Sequence, residues 1–357
     1  MKNGTMKAVV YHGPNNISLD DVPLPQIIEE DDVIIKVTLS AICTSDVHIA
    51  AGHLPNVAPG QTLGHEFCGE IIKIGPAVQG FKVGDRVMVD AQSHCGKCEN
   101  CINGLSGRFC LEEGQGIFGV RGPAGCQAEY MRLPHGALYM KRIPEGMNEE
   151  DVILVTDMLA TAWFGVQKVR VCPGDTVVVI GCGPVGLSTC TVARLCGAAT
   201  IIAVDVLDYP LEAALKAGVT DYAINSAKEN VIERLAEITD GKFANAVIES
   251  AGSNDSFNTA LDAAGLYGRV CSVSIFAVPI VIPSIHVSVV FKNLELHLGI
   301  QECEGEDVLI EAIQKGEINP RFMLTHKAPL NDILKGYDVF SKKQDGCIKW
   351  LVTPYAR

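Results

Sequence analysis

The sequence predicts an α/β protein in which a doubly wound parallel sheet is joined to a second, mostly β domain. Three observations carry this reading. From Val171 onward apolar strands alternate with helical segments; the run VVVIGCGPVG sets a glycine-rich turn between a strand and a helix; and residues 1 to about 155 hold short β-like runs broken by Gly and Pro. A length of 357 residues suits two domains better than one core.

In the first part, MKAVVYHG, DVIIKVTLSAI, CGEIIKIG and DRVMVD read as strands between turn residues. The alternation then begins: DTVVVIG, the helix PVGLSTCTVARLCGA, TIIAVDV, LEAALKAG, ENVIERLAEITDG, NAVIESAG, SNDSFNTALDAAG and GRVCSVSIF. Near-continuous Val/Ile strands between helices indicate a parallel sheet covered on both faces. From about residue 300 the character is mixed again, with helices in EGEDVLIEAIQKG and LNDILKGYDVFSKK and a closing strand CIKWLVTP. The expected division is therefore a discontinuous domain, 1–157 with 300–357, around a nucleotide-binding domain, 158–299.

Bulk properties exclude several classes. Hydrophobic content of 48% with positive mean hydropathy describes a filled globular interior. The most apolar stretch, IFAVPIVIPSIHVSVVF, contains two prolines, two serines and a histidine, so no membrane span is expected. The start, MKNGTMKAVVYHG, shows no secretory signal, and a cytoplasmic protein is expected. A net charge of −13 argues against nucleic acid as partner. Fourteen cysteines without a signal read as thiols and metal ligands, not disulfides. Nine of them (Cys68, Cys126, Cys172, Cys182, Cys190, Cys196, Cys271, Cys303, Cys347) have apolar surroundings and read as small buried hydrophobes.

Gly181-Cys182-Gly183-Pro184-Val185-Gly186 has the spacing G-x-G-x-x-G at the end of a strand and the start of a helix, the Rossmann arrangement. Gly181 permits the tight turn, Gly183 admits a pyrophosphate, and Gly186 lets helix and strand pack closely. The helix N-terminus, with Pro184 and Val185, faces the phosphates. Asp205 closes the next strand, where a carboxylate binds the adenosine ribose and repels a 2′-phosphate. Asp208 adds to that repulsion, and no Arg or Lys lies between 205 and 215. NAD is expected over NADP. A purely structural glycine turn is the alternative.

Cys95, Cys98, Cys101 and Cys110 fall in the spacing C-x2-C-x2-C-x8-C, which suits tetrahedral thiolate coordination with no open position: a structural zinc, with an iron–sulfur cluster as the competitor. Cys43 and His65 lie too far apart for a local loop site, yet their neighbours suit a catalytic metal. Ser45 and His48 follow Cys43 and could relay a proton from an alcohol. Asp46 and Glu66 are carboxylates beside the two presumed ligands. His12, His53, His94, His135, His286, His297 and His326 lack such context and read as surface or satisfied core groups, with His94 of interest for its place beside Cys95.

These segments resemble the zinc-containing medium-chain alcohol dehydrogenase family. Gly64-His65-Glu66-Phe67-Cys68-Gly69, with Gly75 and Val78, matches GHE-x2-G-x5-G-x2-V; CTSDVH is similar to C-x-[ST]-D-x-H; and the four-cysteine loop is similar to the family's structural zinc lobe, with one extra residue before Cys110. The resemblance covers essentially the whole chain and implies a GroES-like catalytic domain and two zinc ions per chain. It implies Cys43, His65 and Asp157 as ligands of the catalytic zinc, Asp157 standing where many relatives have Cys, as in the subgroup acting on secondary alcohols and in some relatives acting on aldehydes. Glu66 would approach the metal during ligand exchange, and Thr161 would contact the nicotinamide side. Thr44 stands where relatives often carry an Arg on the pyrophosphate, leaving Lys349 as a candidate for that charge.

The implied activity is NAD-linked interconversion of a small alcohol, secondary by the Asp157 likeness, and its ketone or aldehyde, in a homodimer or homotetramer. Residues expected near the zinc (Ile42, Ile49, Phe118, Leu298, Ile300) are apolar. A polyol or sugar dehydrogenase and an aldehyde dismutase are the alternatives within the family. Zinc-free relatives that act as binding proteins lack the ligand set kept here.

Overall fold

The computed structural model describes residues 4–55, 57–105, 107–302 and 304–355. The chain packs as two units, Met1–Asp157 with Leu324–Arg357, and Met158–Met323. The second cut thus follows Met323 rather than residue 299 as expected. The reason lies in two glycines. A Cβ at Gly299 would stand 2.6 Å from the Phe164 ring, and one at Gly305 would stand 2.5 Å from the Trp163 indole. The chain after residue 298 therefore lies against the helix carrying those aromatics. Ser188 Oγ also meets the Met323 sulfur at 3.6 Å, which ties the end of this stretch to the same unit.

The first unit opens with an antiparallel hairpin, β1 (Thr5–Gly13) and β2 (Asn16–Pro23). Its main sheet joins β3 (Val33–Ala41), β4 (Phe67–Ile74), β5 (Arg86–Val89), β8 (Tyr130–Leu133), β9 (Met140–Arg142), β16 (Leu324–Pro329) and β17 (Lys349–Thr353) in the order β16-β17-β3-β4-β5-β9, with β8 also on β3. A small ribbon pairs β6 (Gln92–Ser93) with β7 (Gly116–Ile117). Alternate residues Val33, Ile35 and Val37 of β3 pack with Phe67, Ile71, Val87, Val89 and Leu133 into one core. A second core gathers Ile42, Ile49, Leu63, Trp350 and Val352 with Ile333, Tyr337 and Phe340 of the helix Ile333–Ser341. That helix and β17, the last elements of the chain, are thereby packed with the helix Thr44–Ala50.

The second unit holds a six-stranded parallel sheet: β10 (Thr176–Ile180), β11 (Thr200–Asp205), β12 (Tyr222–Asn225), β13 (Ala244–Glu249), β14 (Ala264–Ser272) and β15 (Glu295–Leu298). The order is β12-β11-β10-β13-β14-β15. Strand order reverses between β10 and β13, so the crevice beyond the C-terminal end of β10 is where such sheets bind ligands. Val177, Val178, Val179, Ile201, Ile202, Val247 and Ile248 are fully buried, as expected of strands covered on both faces. Among the described residues no helix is long and apolar enough to cross a membrane.

The thiols need one correction. Cys68, Cys126, Cys182, Cys190, Cys271 and Cys347 are buried as expected, but Cys172 is exposed and Cys196 half-buried. Cys172 sits in the loop before β10, where its backbone N–H donates to Asp175 Oδ2 at 3.1 Å. An apolar neighbourhood in sequence did not make a core position there. Cys303 lies outside the described residues.

Candidate functional site

Cys43 lies two residues beyond β3 and serves as N-cap of the helix Thr44–Ala50, whose N3 residue Asp46 accepts the Cys43 backbone N–H at 2.9 Å. C-T-S-D is thus a capping box, and it fixes the direction of the thiol. Gly64, at φ 97°, precedes His65; a Cβ there would stand 2.6 Å from Gln127 Cγ, so only glycine lets the chain pass so close. His65 and Glu66 then lead into β4. Asp157 follows the short helix Ile153–Thr156.

These segments bring Cys43, His65, Glu66 and Asp157 together: one ligand atom from each lies within 4.8 Å of all the others, and all four residues are buried. Cys43 Sγ is 3.6 Å from Asp157 Oδ2, and His65 Nε2 is 3.5 Å from the same oxygen. Ser45 Oγ lies 3.1 Å from His65 Nε2. On the far side of the ring, His65 Nδ1 faces Asp46 Oδ1 at 3.5 Å.

The electrostatics of this cluster are one-sided. Burial, with Asp157 adding, pushes the Cys43 thiol up, and burial raises Asp46 and Glu66 as well. Burial works against a charged His65, but Asp46 and Cys43 more than offset it and hold the imidazole well above its usual range. Three buried carboxylates face one buried ammonium, Lys349, whose Nζ donates to Glu66 Oε1 at 2.5 Å. Glu66 Oε2 is left buried without a hydrogen-bond partner. A divalent cation is what such a set lacks, and thiolate, imidazole and carboxylate together suit zinc.

The second ligand set is equally compact. Cys95, Cys98, Cys101 and Cys110 have their sulfurs within 4.8 Å of one another, with Cys98–Cys101 at 3.4 Å and Cys95–Cys101 and Cys98–Cys110 at 4.0 Å. Sulfurs about 2.3 Å from a tetrahedral ion would be about 3.8 Å apart, so the set fits a closed zinc site. The Leu111 backbone N–H, with that of Cys101, pulls the Cys98 thiol down to about 6. His94 does not join this set; it packs against Tyr139 with ring centroids 5.7 Å apart.

In the second unit the fingerprint has the expected backbone geometry. Gly181 has φ 89°, and a Cβ there would meet the Ala251 backbone N at 2.8 Å. At Gly186 it would come to 1.7 Å from Gly181 O, while at Gly183 it would meet nothing within 4 Å. The turn and the close packing are thus glycine-dependent, and Gly183 leaves an open approach. Pro184 and Val185 begin the helix Pro184–Leu195. Asp205 Oδ2 accepts the Cys182 backbone N–H at 2.6 Å and Oδ1 that of Leu207 at 2.9 Å, which locks the carboxylate beside the loop. Asp208 differs from expectation: Lys228 Nζ donates to it at 2.6 Å and offsets its charge.

Comparison with known proteins matches residues 29–145 to the alcohol dehydrogenase GroES-like domain and 184–312 to the zinc-binding dehydrogenase domain. An alcohol dehydrogenase of Cupriavidus necator is 32% identical, over 98% of this chain and 99% of that protein. The chain belongs to the zinc-containing medium-chain alcohol dehydrogenase family. Its fold follows the solved zinc dependent alcohol dehydrogenase 2 from Streptococcus pneumonia, with a TM-score of 0.91 and 31% identity over 99% of each chain. The L-threonine 3-dehydrogenase of Bacillus licheniformis is 33% identical over 96% of this chain and 98% of its own. As a member of the family the protein is an oxidoreductase.

The remaining expected residues divide. Thr44 is exposed in the first turn of its helix, and Thr161 is buried in the helix Met158–Lys168 of the second unit. Lys349, expected on the cofactor, has its ammonium on Glu66. Ile42, Ile49 and Phe118 are fully buried within the two cores of the first unit, while Leu298 is exposed at the end of β15. Sequence reasoning missed Gln127, which donates to Asp46, and Tyr337, which donates to Gln127. No motif marks them; a Gln and a Tyr far apart in the chain carry no local signal.

Proposed function

We propose that the protein oxidises a small secondary alcohol to its ketone with NAD⁺, and runs the reverse reduction with NADH. The observation that carries the reading is the buried quartet Cys43, His65, Glu66 and Asp157 in a chain of this family. Cys43, His65 and Asp157 would hold the catalytic zinc, and Glu66, with one oxygen on Lys349 and the other unpartnered, would move toward or away from it. A zinc ion held there supplies a Lewis acid that lowers the pKa of the alcohol hydroxyl.

The chain's own groups then manage proton and hydride. Ser45 stands against His65 and takes up the hydroxyl proton. His48 lies further along the same helix, 3.3 Å from His53 through the Nδ1 atoms. Burial, then the neighbouring His53, holds His48 below its ordinary range, so it is neutral near pH 7 and able to accept that proton. The C–H electron pair leaves as hydride for the nicotinamide, giving ketone, NADH and one released proton.

Preference for NAD is supported by the Asp205 carboxylate beside the glycine loop. A secondary alcohol is supported by Asp157 as third ligand and by the L-threonine 3-dehydrogenase relative, whose named position bears a secondary hydroxyl. The test is NADH formation with 2-butanol, 1-butanol, sorbitol and a cyclic polyol. The highest kcat/KM is expected for 2-butanol; a higher value on either polyol replaces this reading with the polyol dehydrogenase.

A further inference from the structure

We propose that Tyr337 is a positioning residue for the catalytic metal centre, acting through Gln127 on Asp46; the inference rests on the assignment of that centre given above. The Tyr337 hydroxyl donates to Gln127 Oε1 at 2.7 Å, and Gln127 Nε2 donates to Asp46 Oδ2 at 3.0 Å. Gln127 and Asp46 are fully buried and Tyr337 is 6% exposed, so water does not compete for these bonds. The chain of bonds starts in the helix Ile333–Ser341, 210 residues along the sequence from Gln127, and ends at the residue that caps Cys43.

An amide has one accepting and one donating end, and its orientation is set by its partners. Burial, with Asp46 adding, holds the Tyr337 phenol well above its ordinary range, so it remains a donor at working pH. A donor at Oε1 leaves Nε2 facing Asp46. Without the hydroxyl Oε1 loses its donor, only Asp46 is left to orient the amide, and the side chain is held less tightly. With Nε2 in place, Asp46 Oδ2 has two donors, Gln127 Nε2 and the Cys43 backbone N–H at 2.9 Å. Oδ1 is then the oxygen presented to His65 Nδ1, at 3.5 Å. The two atoms have no other hydrogen-bond partner, so the carboxylate favours a proton on Nδ1 and leaves Nε2, on the side of Asp157 and Ser45, as the nitrogen for a metal. One hydroxyl therefore biases both a ligand's ring orientation and the backbone that carries the Cys43 thiol.

Groups that orient metal ligands typically matter by 10–100-fold in metal affinity. The test uses the zinc-loaded enzyme and follows zinc release to a colorimetric chelator, which separates the two sites by rate. Tyr337→Phe is expected to speed release of one zinc about tenfold, to leave release from the four-cysteine site unchanged, and to add nothing in a Gln127→Met background. Unchanged release in folded Tyr337→Phe overturns the proposal, as does an additive effect in the double variant. If Tyr337→Phe does not fold, Gln127→Met alone must speed the same release, and its failure to do so is equally decisive. Asp46→Asn separates the two readings: no effect there as well removes the metal centre itself, whereas an effect of Asp46→Asn alone removes only Tyr337.

Discussion

Lys349 donates to Glu66 across 283 residues of sequence, at 2.5 Å, with both side chains fully buried. The pair engages one carboxylate oxygen, Oε1, and leaves Oε2 without a hydrogen-bond partner. Burial opposes the ammonium, but Glu66 and Cys43 outweigh it and keep Lys349 charged. Lys349→Met should therefore do more than remove a contact. It leaves a buried carboxylate without its partner, which costs on the order of 3–5 kcal/mol. Urea denaturation of the wild type and Lys349→Met checks this; a loss under about 1 kcal/mol would show that the pair is not a net stabiliser of the folded state.

The proposed preference for NAD rests on Asp205. Its two oxygens are held by the Cys182 and Leu207 backbone N–H groups, leaving a fixed negative charge at the end of β11. Asp205→Gly combined with Val206→Arg should cut kcat/KM for NAD at least tenfold, about 1.4 kcal/mol, and raise it for NADP. Steady-state kinetics with both cofactors decides; a wild type that already prefers NADP removes the assignment.

The four-cysteine site should act on stability rather than on chemistry. Cys101→Ser is expected to release one zinc and lower Tm by roughly 5–10 °C, while turnover per folded molecule changes little. Calorimetry with zinc analysis checks this. Full zinc retention, or an unchanged Tm with lost turnover, would assign these cysteines a different role.

His135 bridges Asp31 Oδ2 at 2.5 Å and Glu112 Oε1 at 2.6 Å. Burial works against its charge, but Glu112 and Asp31 outweigh it and raise its pKa. A cation with a raised folded pKa stabilises fully below its unfolded value of about 6.5, and that stabilisation is lost as pH rises through the folded value. Since His135 has φ 55°, Asn is the replacement that tolerates its backbone. Stability measured between pH 6 and 9 should fall with pH in the wild type more steeply than in His135→Asn. Parallel curves would show that the bridge contributes nothing measurable.

Much of this was legible in the residues. Runs such as Thr176–Ile180 and Thr200–Asp205 could only be strands buried on both faces, and the three fingerprint glycines carry their reasons in their spacing. The four-cysteine set followed from its own spacing, which is local, whereas the other set spans 114 residues and its Asp157 was implied only by likeness to a family. What escaped is non-local. The amphipathic helix Glu306–Gln314 reads the same whichever unit it covers, and Gly299 against Phe164 with Gly305 against Trp163 decides it. Lys349 on Glu66, Lys228 on Asp208 and Tyr337 on Gln127 are pairings that topology makes and that periodicity cannot encode.

The most direct measurement is zinc content and turnover on 2-butanol with NAD, in the wild type and in Asp157→Ala. Asp157 Oδ2 lies 3.6 Å from Cys43 Sγ and 3.5 Å from His65 Nε2, so removing it opens the quartet without touching the four-cysteine site. The wild type should carry about two zinc ions per chain. Asp157→Ala should keep one and lose turnover by a factor of about 100 or more, at least 2.7 kcal/mol. Two retained zinc ions with near-normal turnover in the variant, or a wild type with a single zinc, would contradict the account.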